Sequence, residues 1–239
     1  MSAIDAIVGR PDDGGREHPG VLLFADAFGL RPQIQAMADR IASWGYVVLA
    51  PHLFHRDGTV AELAPQGDLR TPEGREAAIG QAMTRVRALT PDLIVADAAD
   101  HVAALRGLVG VADGPLGATG YCMGGAVAVR TACARPDDIA AVGSFHAGRL
   151  ATDAPDSPHL GLADARAAFV FAHADQDPSM PPEAIALLER TLSEHGLEFA
   201  SATYPDAPHG FTMADTSSYQ EAGAERHYRE LRDLLAARL

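Results

Sequence analysis

The sequence predicts an α/β domain built on a mainly parallel central sheet with helices on both faces, and three observations lead there. Short apolar runs alternate with longer segments of helical period. Most of these runs are apolar on consecutive residues, as strands covered on both faces must be. At 239 residues the chain is long enough for one large core and short for two, so 1–239 is read as a single domain.

VLLFAD, Val21 to Asp26, opens the strand series. PQIQAMADRIASWG follows as a helix, with Ile34, Met37, Ile41 and Trp44 on one face and Gly45 to end it. VVLAP, Val47 to Pro51, is the second strand. The stretch from His52 to Glu76 is rich in Gly and Pro and weakly periodic. Leaving the carboxyl end of a strand, it is expected either to wall or cover a ligand site or to be a solvated connection. LGATGYC (Leu116 to Cys122), AAVGSFHA (Ala140 to Ala147) and AAFVFAHAD (Ala167 to Asp175) are further strands. Pro182 to His195 reads as a helix, with Pro near its start and Gly196 after its end. FASATYP, Phe199 to Pro205, is the last strand, and Ser217 to Leu239 a long amphipathic helix closing one face of the sheet.

Composition excludes several function classes. A formal charge of −13 with no local Lys/Arg cluster repels phosphate backbones, so nucleic acid is not an expected partner. No run approaches the roughly eighteen apolar residues of a membrane helix. MSAIDAIVGRPDDGG has neither a basic n-region nor an apolar h-region, so no secretory signal is read and the cytoplasm is expected. If Cys122 and Cys133 lie along one helix they stand roughly 16 Å apart, too far for a disulfide. A small-molecule substrate and a monomer or weak homodimer are expected.

GYCMGG, Gly120 to Gly125, is the informative motif. A cysteine between glycines, after an apolar run and before a small-residue helix, has the layout of a strand-to-helix elbow that presents one nucleophilic side chain at its apex. Such a fold needs an acid and then a histidine later in the chain. AHADQDPSMP supplies Asp175 and Asp177 just beyond a strand, and YPDAPHGF supplies His209 before the last helix. A parallel sheet brings these strand ends to one edge. The imidazole and the helix N-terminus would raise the thiolate fraction of Cys122. A carboxylate would hold His209 in one tautomer. The Met123 N–H and one from Ala27 or Phe28 would face a developing oxyanion.

ADAFGLRP, GYCMGG, A-x-x-D-P-x-x-P and HGF, in that order from about Val21 to the C-terminus, resemble the dienelactone hydrolase family. The resemblance implies an α/β-hydrolase fold and a Cys-His-Asp triad that hydrolyses a lactone or ester through an acyl-enzyme, with no metal or organic cofactor. By motif position the roles pass to Cys122, Asp177 and His209. Asp177 takes precedence over Asp175 because it stands four residues before Pro181, as the family's acid does.

Three departures stand out. A glutamate that holds the resting thiol in the family is here Asp26, expected to gate Cys122 or else to cap its loop. An arginine that binds a substrate carboxylate is here Met213, expected to line the pocket and to let neutral esters or lactones react at least as well as anionic ones. The N-terminus has room for one edge strand. His146 could line the pocket but is read as a packed core residue, and Arg85 and Arg87, ahead of a helix at Asp92, are expected either to supply the missing cation or, the preferred reading, to lie on a solvated face. His52 and His55 lack a third partner for a metal site. The alternative to an enzyme is a hydrolase-fold module that binds a small ligand or senses oxidants through Cys122.

Overall fold

The computed structural model describes residues 5–239; of the N-terminal stretch read for a secretory signal, Met1 to Ile4 lie outside the described residues. Among the described residues, seven strands form one sheet: β1 (Ala6–Gly9), β2 (Gly20–Phe24), β3 (Val47–Pro51), β4 (Leu116–Tyr121), β5 (Ile139–Phe145), β6 (Ala168–Ala174) and β7 (Phe199–Tyr204). Their order is β1-β3-β2-β4-β5-β6-β7. Only β1 runs antiparallel, pairing with β3 at the edge, which is the single N-terminal edge strand expected from the sequence. Six helices connect and cover the sheet: α1 (Pro32–Ala42), α2 (Pro72–Ala88), α3 (Pro91–Arg106), α4 (Met123–Ala134), α5 (Pro182–Glu194) and α6 (Glu221–Arg238).

The consecutive apolar residues of the strands serve two cores. Along β2, Leu22 and Phe24 point into one layer with Val102 and Leu105 of α3 and Val127 of α4. Val21 and Leu23 point into the other with Ile34, Met37 and Ile41 of α1 and Leu231 and Leu235 of α6. Alternation at period two is hidden in the sequence because both faces are apolar. Each fully buried Leu or Phe contributes about 1.5–3 kcal/mol, so the two layers together fix the sheet.

The parallel register sets the function-bearing edge. Phe24 pairs with Gly120, Tyr121 with Phe145 and Ala174 with Tyr204. The residues that follow β2, β4, β5, β6 and β7 therefore leave the sheet on one side.

Several sequence boundaries shift. Helix α1 ends at Ala42, so Trp44 lies in the turn, where its ring meets Tyr228 of α6 edge-on at 5.9 Å. Helix α6 starts at Glu221 rather than Ser217. The His52–Glu76 stretch is a loop only to Thr71, which caps α2 by accepting the Gly74 N–H. Helix α2 escapes sequence reading because its buried face is Ala78, Ala82 and Arg85, two methyl groups and a cation, which leave no apolar period. A 3-10 helix at Pro158–Asp164 also went unread. Among the described residues, no helix is long and apolar enough to cross a membrane.

Candidate active site

The turn from β4 to α4 carries Cys122 at φ 54° and ψ −123°, a backbone conformation that side-chain-bearing residues rarely adopt. The flanking glycines make it possible. A Cβ on Gly120 would sit 1.9 Å from the Gly124 carbonyl oxygen, and one on Gly124 2.2 Å from that of Phe24. The strand, the helix and the neighbouring strand thus approach more closely than any side chain allows. Cys122 is partly exposed.

The sheet edge brings Cys122, Asp177 and His209 together. His209 Nε2 lies 3.1 Å from Cys122 Sγ, and His209 Nδ1 lies 2.6 Å from Asp177 Oδ2. The other Asp177 oxygen accepts from the Ser179 N–H and hydroxyl at 2.8 and 2.7 Å. The Asp177 side chain is 4% exposed and that of His209 30%. Burial pushes against both charged forms, yet the hydrogen bonds win. The Asp177 carboxyl is held down at about 2 by His209 and Ser179, and the His209 imidazole is raised to about 10 by Asp177 and Cys122. Asp175 points elsewhere, accepting the Asp206 N–H at 2.9 Å.

On the β2 side of the site, the contacts of Asp26 fit the second of its two sequence readings, the loop cap. Asp26 does not touch the thiol. Arg31 grips both of its oxygens, Nη1 to Oδ1 at 2.7 Å and Nη2 to Oδ2 at 3.0 Å, and Oδ1 also accepts the Phe28 N–H at 3.0 Å. The same guanidinium binds Asp215 through Nε at 2.6 Å and Nη2 at 3.2 Å. Asp26 is therefore a loop cap and ion-pair partner, while the thiol is held by His209. With the Phe28 N–H occupied, Ala27 offers the open main-chain donor in this loop. Met123, as first residue of α4, has no intrahelical acceptor for its N–H.

Met213 and Arg85 also correct the expectation. Met213 is 1% exposed, its sulfur accepting from Arg31 Nη2 at 3.5 Å, so it packs against Arg31 rather than facing open space. Arg85 is buried rather than solvated. It donates to the carbonyls of Leu63 at 2.8 Å and Ala27 at 3.0 Å and lies over the Phe54 ring. Arg87 is exposed as expected. Phe28 packs with Leu69 and Ala78, Ser217 donates to the Leu69 carbonyl at 2.9 Å, and Arg75 donates to that of His209 at 3.2 Å. The segment after β3, together with α2, is thus a wall of the site. A cavity of about 260 Å³ borders Met123, and Val86, Leu89, Ile94, Ala126 and Arg149 are among the residues that line it.

His146 is fully buried, as read from the sequence. His52 and His55 spend ring nitrogens on the Gly58 and His52 carbonyls. Sequence reasoning missed Arg31, Ser179 and Thr212. The D-P-S spacing was a usable signal for Ser179, since an Asp often binds the backbone two residues on, and Arg31 stands inside the ADAFGLRP motif.

A mainly parallel sheet with this edge, a nucleophile elbow and a downstream acid and histidine define an α/β-hydrolase fold. The sequence profile of the dienelactone hydrolase family matches residues 4–239, and the chain belongs to that family; it is an ester or lactone hydrolase by class. Over 209 residues it is 30% identical to a carboxymethylenebutenolidase of Rhodococcus opacus, covering 87% of this chain and 75% of that one. A Salmonella typhi protein named "Putative carboxymethylenebutenolidase" is 27% identical over 235 residues, 97% of this chain and 82% of its own. The crystal structure of a Klebsiella pneumoniae "Putative Dienelactone Hydrolase" superposes with a TM-score of 0.76 at 23% identity, covering 97% of this chain and 98% of that one; this likeness carries the fold.

Proposed function

We propose that the chain hydrolyses a small lactone or carboxylic ester through an acyl-enzyme on Cys122. The observation that carries this reading is the continuous contact chain from Cys122 Sγ through His209 to Asp177, with links of 3.1 and 2.6 Å, at a partly exposed cysteine. His209 Nε2 holds the thiol proton in a resting imidazolium–thiolate pair, and the thiolate attacks the acyl carbon. The N–H groups of Met123 and Ala27 donate to the oxyanion. When the tetrahedral intermediate collapses, the C–O bond breaks and the imidazolium returns its proton to the leaving alkoxide, which in a lactone stays tethered to the acyl chain. Water, giving a proton to His209, then attacks the thioester carbon. The C–S bond breaks, the acid departs and the thiol is restored. Asp177 stays ionised throughout, fixing the tautomer with Nδ1–H toward itself.

The relatives named carboxymethylenebutenolidase support an ester bond within a ring as the target. The two free cysteines suit a reducing compartment such as the cytoplasm. Intact-mass analysis during turnover of a slow aryl ester should show an acyl adduct on Cys122, and Cys122→Ala should abolish both adduct and turnover. Wild-type turnover by Cys122→Ala would refute the mechanism.

A further inference from the structure

His146 is a second imidazole at the same edge, and the chemistry described above does not use it. It follows β5, is 0% exposed and has φ 41°. Its Nδ1 lies 3.1 Å from the Cys122 backbone nitrogen, and its Nε2 lies 2.7 Å from Thr212 Oγ1. A backbone N–H can only donate, so Nδ1 must be the acceptor, and the proton of the neutral ring sits on Nε2 and is donated to Thr212. Burial, with the His209 charge adding to it, holds the ring neutral, which keeps Nδ1 available as an acceptor. Its ring meets those of His209 and Phe211 edge-on, with centroids 5.4 and 5.1 Å away.

Two imidazoles therefore hold the nucleophile, one by its sulfur and one by its main chain. Both lead to the same loop, because Thr212 is three residues beyond His209. We propose that His146 is a positioning residue, a bridge from the strained Cys122 backbone to Thr212 that sets the distance between Sγ and His209 Nε2. The inference rests on the proposed role of Cys122 and His209. The Cys122 N–H is shared between Nδ1 and the Phe145 carbonyl, also 3.1 Å away. Losing the imidazole therefore leaves the N–H satisfied, and removes only the tie between the elbow and the loop. That tie matters because the elbow conformation is not one that Cys122 would keep unaided.

The Thr212 hydroxyl gives the cleanest test. Thr212→Val is isosteric and leaves the His146 donor without an acceptor, whereas Thr212→Ser keeps the acceptor. Stopped-flow or steady-state kinetics on an aryl ester should show kcat lowered about tenfold in Thr212→Val, with KM within twofold, and near wild type in Thr212→Ser. His146→Phe, which keeps a ring of similar size, should match Thr212→Val. The rate of Cys122 alkylation by iodoacetamide at pH 7, read by intact mass, should fall in the same two variants and recover in Thr212→Ser. Equal kcat and equal alkylation rates in Thr212→Val and Thr212→Ser would overturn the proposal. Alkylation requires no turnover, so it still decides the role of His146 if Cys122→Ala proves active and the acyl-enzyme reading fails.

Discussion

Two buried carboxylates at the same sheet edge have different fates. Asp26 follows β2 and Asp177 follows β6; they are 5% and 8% exposed, and each is bound to a base. Asp177 meets an imidazole at 2.6 Å, while Asp26 meets a guanidinium at 2.7 and 3.0 Å. The guanidinium never yields its proton. The Asp26–Arg31 pair is consequently permanent and fastens the β2 loop to the His209 loop through Asp215. The imidazole can gain and lose a proton, so the Asp177–His209 pair can take part in a reaction cycle. Position in the fold is equivalent, and the acidity of the partner separates a pair that can exchange a proton from one that cannot.

The sharpest way to break this comparison is to make Asp177 neutral. Asp177→Asn should lower kcat by about 10³–10⁴, because the amide no longer fixes the productive tautomer. It should also drop the His209 titration, followed by NMR of the imidazole, from about 10 toward the ordinary value of about 6.5. The sign follows from linkage. His209 is raised on folding, so its contribution to stability is fully present below about 6.5 and is lost as pH rises through about 10. Asp177 is depressed, so its contribution is present above about 3.9 and is lost as pH falls through about 2. Melting temperature against pH should accordingly flatten at both ends in Asp177→Asn. A wild-type NMR titration near 6.5 would contradict the strength assigned to the pair.

Asp26→Asn should act on stability more than on chemistry. Arg31 retains Asp215, so the loss is expected to be about 1–3 kcal/mol rather than the larger cost of stranding a buried charge. Urea unfolding measures it. Alkylation of Cys122 should change less than threefold, whereas a large rise would restore Asp26 as the group that restrains the resting thiol. The smallest effect is expected at Asp175, whose side chain binds only the Asp206 N–H. Asp175→Asn should keep kcat/KM within twofold of wild type, and a loss as deep as that of Asp177→Asn would move the acid by two residues.

The sequence by itself determined the strands, the parallel edge and the chain order of Cys122, Asp177 and His209. These are local properties: an apolar run, glycines where strand and helix must touch, and residues that follow strand ends. The tertiary structure alone decided which partner each polar group meets. Arg31 is one letter of a motif, Arg85 reads as a solvated cation and Met213 as a pocket wall. Their roles arise from packing between segments far apart in the chain, since Arg31 reaches Asp215 across 184 positions and Arg85 reaches Ala27 across 58. The tautomer of His146 belongs to the same class, because its two partners come from the turn between β4 and α4 and from the loop after β7. Apolar periodicity is written along the chain, whereas a buried hydrogen bond is a property of two surfaces that meet only after folding, and a single side chain carries no mark of its partner.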